Sequence, residues 1–471
     1  MFAKRGVVPG RSTCSRTGTG GLFPHVLAAV TLLASTGCER GEKRPAAAPP
    51  PRMNVLFISI DTIRADHTSA YGYKYDTTPR LARLAAEGAR VVDAYAPMAT
   101  TGPSHATMMT SLYPMTHGVV KNAYALDEKH ITLAERLKAR GYATAAIVSS
   151  FPLDRKFGLM QGFDRYDDDF GPRQPGSPLN WEGRKLAREF DRPASATTGL
   201  AADWIRSRPQ DQPFFLWVHF FDPHTPYAPP REFQDAVRPS GTPWPADPLA
   251  RAAWQYDGEI RFADDGVGRV LDALDAKGLR DSTLVVVVGD HGEGLGDHGH
   301  MEHGIHIYEE AVRVPLLLRL PSRIKAGLVV DGPIPLLDLE PTILDFVLDG
   351  EKPQGLQGES QRAVFESREK SNRDRPIFLQ RRLFESVKIE EKYGVRIGKW
   401  KYFLAEPDNA RELYDLSRDP GELENLADLR PRIARTLDAA LSVWRKEQKG
   451  APPQQLSAED IERLRALGYV H

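Results

Sequence analysis

The stretch Ser282–Gly294, STLVVVVGDHGEG, decides the fold of this 471-residue chain. Its four consecutive valines form the centre of a continuous apolar run, which is typical of a strand buried on both faces of a sheet. The run is followed at once by Asp290 and His291, two residue types that bind metal ions. The stretch therefore predicts a central strand with functional side chains at its carboxyl end.

The same pattern occurs twice more along the chain. The segment 53–62, MNVLFISIDT, ends in Asp61, and the segment 213–224, PFFLWVHFFDPH, ends in Asp222 and His224. Amphipathic segments bounded by proline and glycine separate these runs and predict helices. Strands alternating with helices indicate an α/β fold, a doubly wound, mixed but mostly parallel sheet with helices on both faces. Ligands of such sheets bind beyond the carboxyl ends of the strands, so we expect these polar residues to lie close together.

The composition changes along the chain and predicts four parts. Residues 1–38 read as a signal peptide, 39–52 as a proline-rich tether, and 53–350 as the large α/β domain. After residue 350 the sequence becomes polar, and short alternating segments precede the amphipathic segment 431–450. We therefore expect 351–471 to form a smaller C-terminal α+β domain with a short antiparallel sheet.

The leader carries both cysteines of the chain. A basic start and an apolar run too short to span a bilayer precede STGC, which ends at Cys38 and resembles the lipobox of bacterial lipoproteins. The resemblance predicts cleavage and acylation at Cys38, hence an exported protein of the bacterial envelope, anchored by lipid in the periplasm or outer membrane. Ser35 stands where a leucine is usual, and plain secretion is the alternative. Because Cys14 and Cys38 are the only cysteines, the folded domain has no thiolate nucleophile and no disulfide of its own.

The charge balance excludes one class of partner. Lysine and arginine total 62 against 63 acidic residues, a formal net charge of −1. A nucleic-acid-binding protein would be expected to show a basic excess or stripe, so we predict no nucleic-acid partner. An anionic substrate must be attracted locally, by a metal ion or a few side chains.

The stretch 96–122, APMATTGPSHATMMTSLYPMTHGVVKN, supplies a candidate nucleophile. Pro103 is suited to the first turn of a helix, whose N-terminal N–H groups attract anions. A divalent ion held by Asp61, Asp290 and His291 would lower the pKa of the Thr101 hydroxyl. The mixed oxygen and nitrogen ligands leave Ca²⁺, Mn²⁺ and Zn²⁺ open. The alternatives are that Asp61 caps a helix and that the Asp290–His291 pair forms a capped turn.

These segments together resemble the sulfatase family of the alkaline-phosphatase superfamily, over residues 54–427. The resemblance rests on NVLFISIDTIRAD, PSHATMMTSLYPMTHGV, VVVVGDHGE, YEEAVRVPLLLRLP and ELYDLSRDPGELENLA, in the order found in the family. It implies that Asp61, Asp290 and His291 bind the metal ion and that Thr101, a metal ligand itself, stands at the nucleophile position.

The resemblance also assigns three further residues. His224 would be a substrate contact or general acid, Asn122 a donor to the substrate oxyanion, and His105 takes the place of the family's active-site arginine. Read from the sequence alone, His224 could instead be a turn histidine, and Asn122 could equally be a turn residue. His303 and His306 could face the same cleft or complete a second metal site, but a solvated loop is favoured for both.

The chain departs from the ordinary sulfatase pattern at the nucleophile. Sulfatases carry Cys or Ser in a Cys-x-Pro-x-Arg pentad, and the enzyme that converts that residue to formylglycine does not accept threonine. The pentad here is Thr101 to His105, the second acid after the first strand is Thr62, and a lysine usual after the strand in GYATA is absent. We therefore predict that no formylglycine forms.

The sequence leaves three functions open. The first is a metal-dependent hydrolase of sulfate or phosphate esters, acting on a small molecule or a glycan through Thr101. The second is a phosphodiesterase or phosphoglycerol-type transferase acting on envelope material. A simple threonine ester lacks the second hydroxyl with which a formylglycine hydrate expels the bound group, and this difference favours chemistry at phosphorus. The third is a catalytically silent binder of sulfated or phosphorylated glycans.

Overall fold

The computed structural model describes residues 53–171, 180–181, 184–185, 190–350, 353–385 and 388–448. The predicted signal peptide, Cys38, the tether and the last residues of the predicted C-terminal domain lie outside these ranges. The described chain from Met53 onward falls within one compact unit.

The strands and helices follow one another from Asn54 to Glu447. The strands are β1 (Asn54–Ile60), β2 (Ala89–Tyr95), β3 (Ala143–Ile147), β4 (Arg165–Asp167), β5 (Asn180–Trp181), β6 (Arg184–Lys185), β7 (Phe214–Phe220), β8 (Thr283–Gly289), β9 (Arg313–Arg319), β10 (Leu328–Val330), β11 (Ile334–Pro335), β12 (Ile377–Glu385), β13 (Lys388–Ile397), β14 (Trp400–Glu406) and β15 (Ala410–Asp415). The helices are α1 (Pro79–Glu87), α2 (Thr101–Thr110), α3 (Pro114–His117), α4 (Leu133–Lys138), α5 (Ala194–Ser207), α6 (Arg231–Ala236), α7 (Pro248–Ala276), α8 (Glu309–Val312), α9 (Leu339–Leu348), α10 (Arg362–Phe365) and α11 (Pro431–Glu447).

The main sheet confirms the predicted α/β class. Its strand order is β10-β2-β9-β8-β1-β7-β3-β4, with β11 also paired to β2. β1 pairs in parallel with both β7 and β8, whereas β9 runs antiparallel to β8 and β2. The sheet is therefore mixed and mostly parallel, with β1 and β8 at its centre.

Successive residues of β1 point into two separate cores. Val55 and Phe57 pack on one face of the sheet, with residues of α2, α4 and α9. Leu56, Ile58 and Ile60 pack on the other, with residues of α1, α5 and α7. Because both faces are covered, the strand is apolar at every position that packs, which explains the continuous hydrophobic run in the sequence.

The second sheet lies near the C-terminus and is antiparallel, with the order β12-β13-β14-β15. Helix α11 packs Leu437, Leu441 and Trp444 against one face of this sheet. On the other face Phe403 and Tyr414 pack with Tyr95 of β2 and with residues of α8. The predicted short antiparallel sheet is confirmed, and it is joined to the main sheet by a shared apolar core.

Among the described residues, no helix is long and apolar enough to cross a membrane.

Candidate functional site

The site lies at the carboxyl edge of the main sheet, where the two central strands end. Asp61 follows β1 and donates its backbone N–H to Phe220 O of β7 at 2.9 Å. Asp290 follows β8 and donates its backbone N–H to Ile60 O of β1 at 3.2 Å. These bonds extend the ladders by one residue and bring Asp61, Asp290 and His291 together, all with 0 % of their surface exposed.

The three side chains present lone pairs to one point. His291 Nδ1 lies 3.0 Å from Gly292 O, so Nδ1 carries the proton and Nε2 the lone pair. Nε2 is 3.5 Å from Asp61 Oδ1 and 3.5 Å from Asp290 Oδ2. Within the described structure, both oxygens of Asp61 and Oδ2 of Asp290 have no hydrogen-bond donor. Buried acceptors that face one another without a donor fit a cation, and the ligand atoms lie within 4.8 Å of one another.

The acid–base properties of the cluster lead to the same conclusion. Burial raises the pKa of Asp61 to about 8, with Glu293 raising it further and His303 opposing the rise. Burial and the neighbouring Asp61 raise the pKa of Asp290 well above its usual value. Burial and His303 lower the pKa of His291 well below its usual value. The protein alone does not neutralise the negative charge of these carboxylates, whereas a divalent cation would.

Thr62, at the place of the family's second acid, helps to hold this cluster by its backbone. Its N–H donates to Asp290 Oδ1 at 3.2 Å, and the N–H of His291 donates to the same oxygen at 2.7 Å. Oδ1 of Asp290 is therefore occupied by two backbone donors while Oδ2 faces the cluster. This division fixes the orientation of the carboxylate.

Thr101 is the first residue of α2 and faces the cluster from the other side. Its Oγ1 lies 3.3 Å from the lone pair at His291 Nε2, and the residue is fully buried. The position at a helix N-terminus adds a partial positive charge beside the hydroxyl. The structure thus brings the predicted nucleophile and the predicted metal ligands into one site.

Asn122 is placed beside the nucleophile, as the sequence suggested. Its Oδ1 accepts the N–H of Gly102 at 2.7 Å, which satisfies one of the unpaired donors of α2. Its buried Nδ2 has no hydrogen-bond acceptor among the described residues. A Cβ at Gly102 would lie 3.1 Å from Asn122 Oδ1, so a side chain there would require the amide to shift by a few tenths of an ångström.

His105 lies one turn beyond Thr101 in α2 and is fully buried. Nδ1 is 2.8 Å from Thr101 O and therefore carries the proton, and Nε2 accepts from Ser59 Oγ at 2.9 Å. Ser59 Oγ in turn accepts the indole N–H of Trp217 at 2.9 Å. Both ring nitrogens are engaged with the protein, so this geometry favours a positioning role for His105, in place of the catalytic role expected from the sequence.

His224 follows β7 and is almost fully buried beside the site. Its Nδ1 lies 2.6 Å from Thr225 O, so Nδ1 carries the proton and Nε2 presents a lone pair. Burial and the nearby His303 lower its pKa well below the usual value. Asp222, the other polar residue at this strand end, accepts the N–H of Ala194 at 2.8 Å and so caps α5.

His303 and Glu293 also belong to the site, although the sequence favoured a solvated loop for His303. His303, assigned to a solvated loop, has a side chain only 8 % exposed, and its ring lies 4.5 Å from that of His291 and 4.9 Å from that of His224. Its Nδ1 is 3.3 Å from Oε1 of the fully buried Glu293. Burial opposes protonation, but Glu293 above all, together with the two aspartates, raises the pKa of His303 to about 9.

His306 does not reach the site, although the solvated-loop expectation was wrong for it too. Its side chain is 3 % exposed, and its Nδ1 lies 3.7 Å from Glu310 Oε1. Burial and neighbouring histidines lower its pKa to about 3. His306 thus belongs to the packing around α8.

The chain is similar to known proteins over most of its length. The family model described as Sulfatase matches residues 53–349, and the model described as N-sulphoglucosamine sulphohydrolase, C-terminal, matches residues 296–446. An N-acetylglucosamine-6-O-sulfatase of Bacteroides thetaiotaomicron is 25% identical, covering 85% of this chain and 86% of its own. The multifunctional alkaline phosphatase superfamily protein PehA of Trinickia caryophylli is 28% identical, covering 66% and 76%. A phosphonate monoester hydrolase from Silicibacter pomeroyi superimposes with a TM-score of 0.69 at 22% identity, covering 87% of this chain and 98% of that one, which shows a common fold.

Proposed function

This chain belongs to the sulfatase family and is thus a hydrolase of sulfate esters, and we propose that its nucleophile is the hydroxyl of Thr101, activated in a site for one divalent cation. The observation that carries the proposal is the position of Thr101 Oγ1. The hydroxyl lies at the N-terminus of α2 and 3.3 Å from His291 Nε2, where the acceptors of Asp61 and Asp290 also converge.

Asp61, Asp290 and His291, with Thr101 Oγ1, would hold the cation. When bound, a divalent ion polarises the ester and lowers the pKa of a coordinated hydroxyl. Because one ligand is an imidazole, the set matches Mn²⁺ or Zn²⁺ better than Ca²⁺, which prefers oxygen ligands only. The unpartnered oxygens of Asp61 support this assignment.

The reaction would proceed in two displacements. The Thr101 hydroxyl loses its proton, its oxygen bonds to the sulfur or phosphorus atom, and the bond from that atom to the alcohol oxygen breaks as the alcohol takes up a proton. Water then attacks the same atom, the Thr101 oxygen leaves and is reprotonated, and the acid is released. The threonine is thereby regenerated without any oxidation.

Three residues around the cleft are placed to hold the ester. The Nδ2 group of Asn122 is a buried donor and suits a non-bridging oxygen of the substrate. His303, paired with Glu293, supplies a positive charge beside the site. His224 presents a lone pair at Nε2, which favours the role of substrate contact over that of general acid.

Esters of phosphorus are a second class of substrate, and Thr101 itself favours them. A threonine ester has no second hydroxyl with which to expel the bound group, so water must displace it at the central atom, a reaction well suited to phosphorus. The chain is similar to PehA, a multifunctional protein of the alkaline phosphatase superfamily, and it shares its fold with a phosphonate monoester hydrolase.

A paired assay tests the proposal. Purified protein loaded with Mn²⁺ or Zn²⁺ is assayed on para-nitrophenyl sulfate, a para-nitrophenyl phosphonate and a bis-para-nitrophenyl phosphodiester, beside Thr101→Ala and Thr101→Ser. We expect turnover of at least one ester, its loss in Thr101→Ala and its partial retention in Thr101→Ser. Protein that binds the esters without turnover would instead support the silent glycan-binding alternative.

We also propose that the chain is an exported lipoprotein anchored through Cys38, on the strength of the leader sequence. Labelling of cells with a clickable palmitate analogue tests this. We expect a lipid-modified protein that becomes unmodified in Cys38→Ala, whereas a wild-type chain that takes up no label would favour plain secretion.

A further inference from the structure

His219 is a buried histidine that the reaction described above does not use. It lies in β7, within the apolar run FFLWVHF, and pairs in register with Ser59 of β1. It has 0 % of its surface exposed. Placing an imidazole inside an apolar strand costs free energy unless its nitrogens are hydrogen-bonded, so a partner is expected for each nitrogen.

The backbone fixes which nitrogen of His219 carries the proton. Nδ1 accepts the backbone N–H of Ser149 at 3.3 Å. A backbone amide can only donate, so Nδ1 presents its lone pair and the proton of the neutral ring is at Nε2. His219 is therefore a donor on the side that faces the functional site.

That donor faces one of the proposed metal ligands. Nε2 of His219 lies 3.4 Å from Asp61 Oδ2, and neither atom has a hydrogen-bond partner within the described part of the chain. The other oxygen of the same carboxylate, Oδ1, faces His291 at 3.5 Å.

The tautomers of the buried histidines also indicate how many cations the site binds. His105, His219 and Asp290 form a second buried group with ligand atoms within 4.8 Å of one another. However, the nitrogens of His105 and His219 that face the carboxylates, Nδ1 and Nε2, both carry hydrogen, because Thr101 O and the Ser149 amide fix the tautomers. Two N–H groups suit carboxylate oxygens and repel a cation.

We propose that His219 is a positioning residue for the metal site: its Nε2–H holds Oδ2 of Asp61, so that Oδ1 is turned toward the cation shared with Asp290 and His291. The second group thus supports the first instead of binding an ion of its own, and the site takes one cation per chain. This inference rests on the proposed metal site, but it depends on neither the ester nor the role of Thr101.

Two substitutions separate the functions of the two ring nitrogens. In His219→Gln the amide can reach the position of Nε2 and still donate to Asp61. In His219→Asn the shorter amide reaches only the position of Nδ1, where it can still accept from Ser149. We expect His219→Asn to weaken binding of Mn²⁺ or Zn²⁺ by about 10- to 100-fold and His219→Gln to bind within a few-fold of wild type, as measured by isothermal titration calorimetry.

Three further measurements complete the test. Urea unfolding in EDTA checks that both variants fold. Titration of wild type should give one ion per chain. Selective ¹⁵N-histidine labelling, with His219→Gln used for assignment, should show the Nε2–H tautomer for His219 in the metal-free protein.

The inference would be overturned by equal metal affinity in His219→Asn and wild type, by two ions per chain, or by the Nδ1–H tautomer. The proposed nucleophile is tested separately. If Thr101→Ala retained full turnover while His219→Asn lost metal affinity, the nucleophile would be wrong and the role of His219 would stand.

Discussion

Replacing Asp61 by asparagine is expected to stabilise the metal-free protein and to abolish its stabilisation by metal. Burial raises the pKa of this carboxyl from 3.8 to about 8, so the folded protein holds a proton that the unfolded chain releases across this interval. The metal-free wild type therefore loses stability as the pH rises from about 4 to about 8. Since one pKa unit corresponds to about 1.4 kcal/mol, the loss at neutral pH amounts to about 2–4 kcal/mol.

Asparagine removes this cost with little change of shape. The amide keeps one oxygen that can face the Nε2–H of His219, so the substitution removes the charge and leaves this contact possible. Asp61→Asn in EDTA should unfold at a free energy about 2–4 kcal/mol above wild type near pH 8 and equal to it near pH 4. A divalent ion at 1,000 times its dissociation constant should cancel or reverse this difference, because wild type then gains about 4.1 kcal/mol and the variant lacks a ligand.

Urea denaturation followed by tryptophan fluorescence measures these differences, with and without Mn²⁺ or Zn²⁺. The exposed Asp211→Asn is a matched control and should follow wild type at every pH and metal concentration. The reasoning would be refuted if metal-free Asp61→Asn were less stable than wild type near pH 8, or if metal stabilised both proteins equally.

Three further predictions concern neighbouring residues. Ser59→Ala removes the hydrogen-bond partner of both Trp217 Nε1 and His105 Nε2, so we expect a loss of about 2–5 kcal/mol in unfolding free energy. If the variant were as stable as wild type in urea denaturation, these hydrogen bonds would not contribute to stability. Burial lowers the pKa of His117 from 6.5 to about 3, so wild type loses unfolding free energy as the pH falls through this interval. Between neutral pH and about pH 5, His117→Gln should lose about 2 kcal/mol less than wild type. An equal loss in both proteins would contradict this. His224→Gln should lower kcat/KM by the same factor for nitrophenyl and alkyl esters, because the Nε2 lone pair of His224 would accept a hydrogen bond from the substrate and donate no proton to the leaving group. A larger loss for alkyl esters would show that His224 acts as a general acid.

The sequence predicts the core of this fold because its central strands are buried on both faces. A strand such as β8, with apolar residues at every packed position, has few alternatives, and an acid directly after it must lie at the sheet edge. Asp247 and Pro248 form a clear N-terminal signal for α7. Helix α5 (Ala194–Ser207) is harder to predict, because its many small residues show weak periodicity.

The site residues that the sequence missed depend on long-range contacts. His303 is in a polar loop that reads as solvated, and its position is set by Glu293 and the rings of His224 and His291. His219 offered a signal that was overlooked, since a histidine inside an apolar strand requires partners. Which partners it has depends on strand register, and one sequence does not specify that register.

Trapping of the covalent intermediate tests the central claim, that Thr101 is the nucleophile, most directly. Metal-loaded protein is quenched in acid during turnover of the best para-nitrophenyl ester, digested, and analysed by tandem mass spectrometry. The account predicts a sulfuryl or phosphoryl-type group on the Thr101 hydroxyl, with neither adduct nor turnover in Thr101→Ala. Continued turnover in Thr101→Ala, or an adduct on another residue, would contradict it.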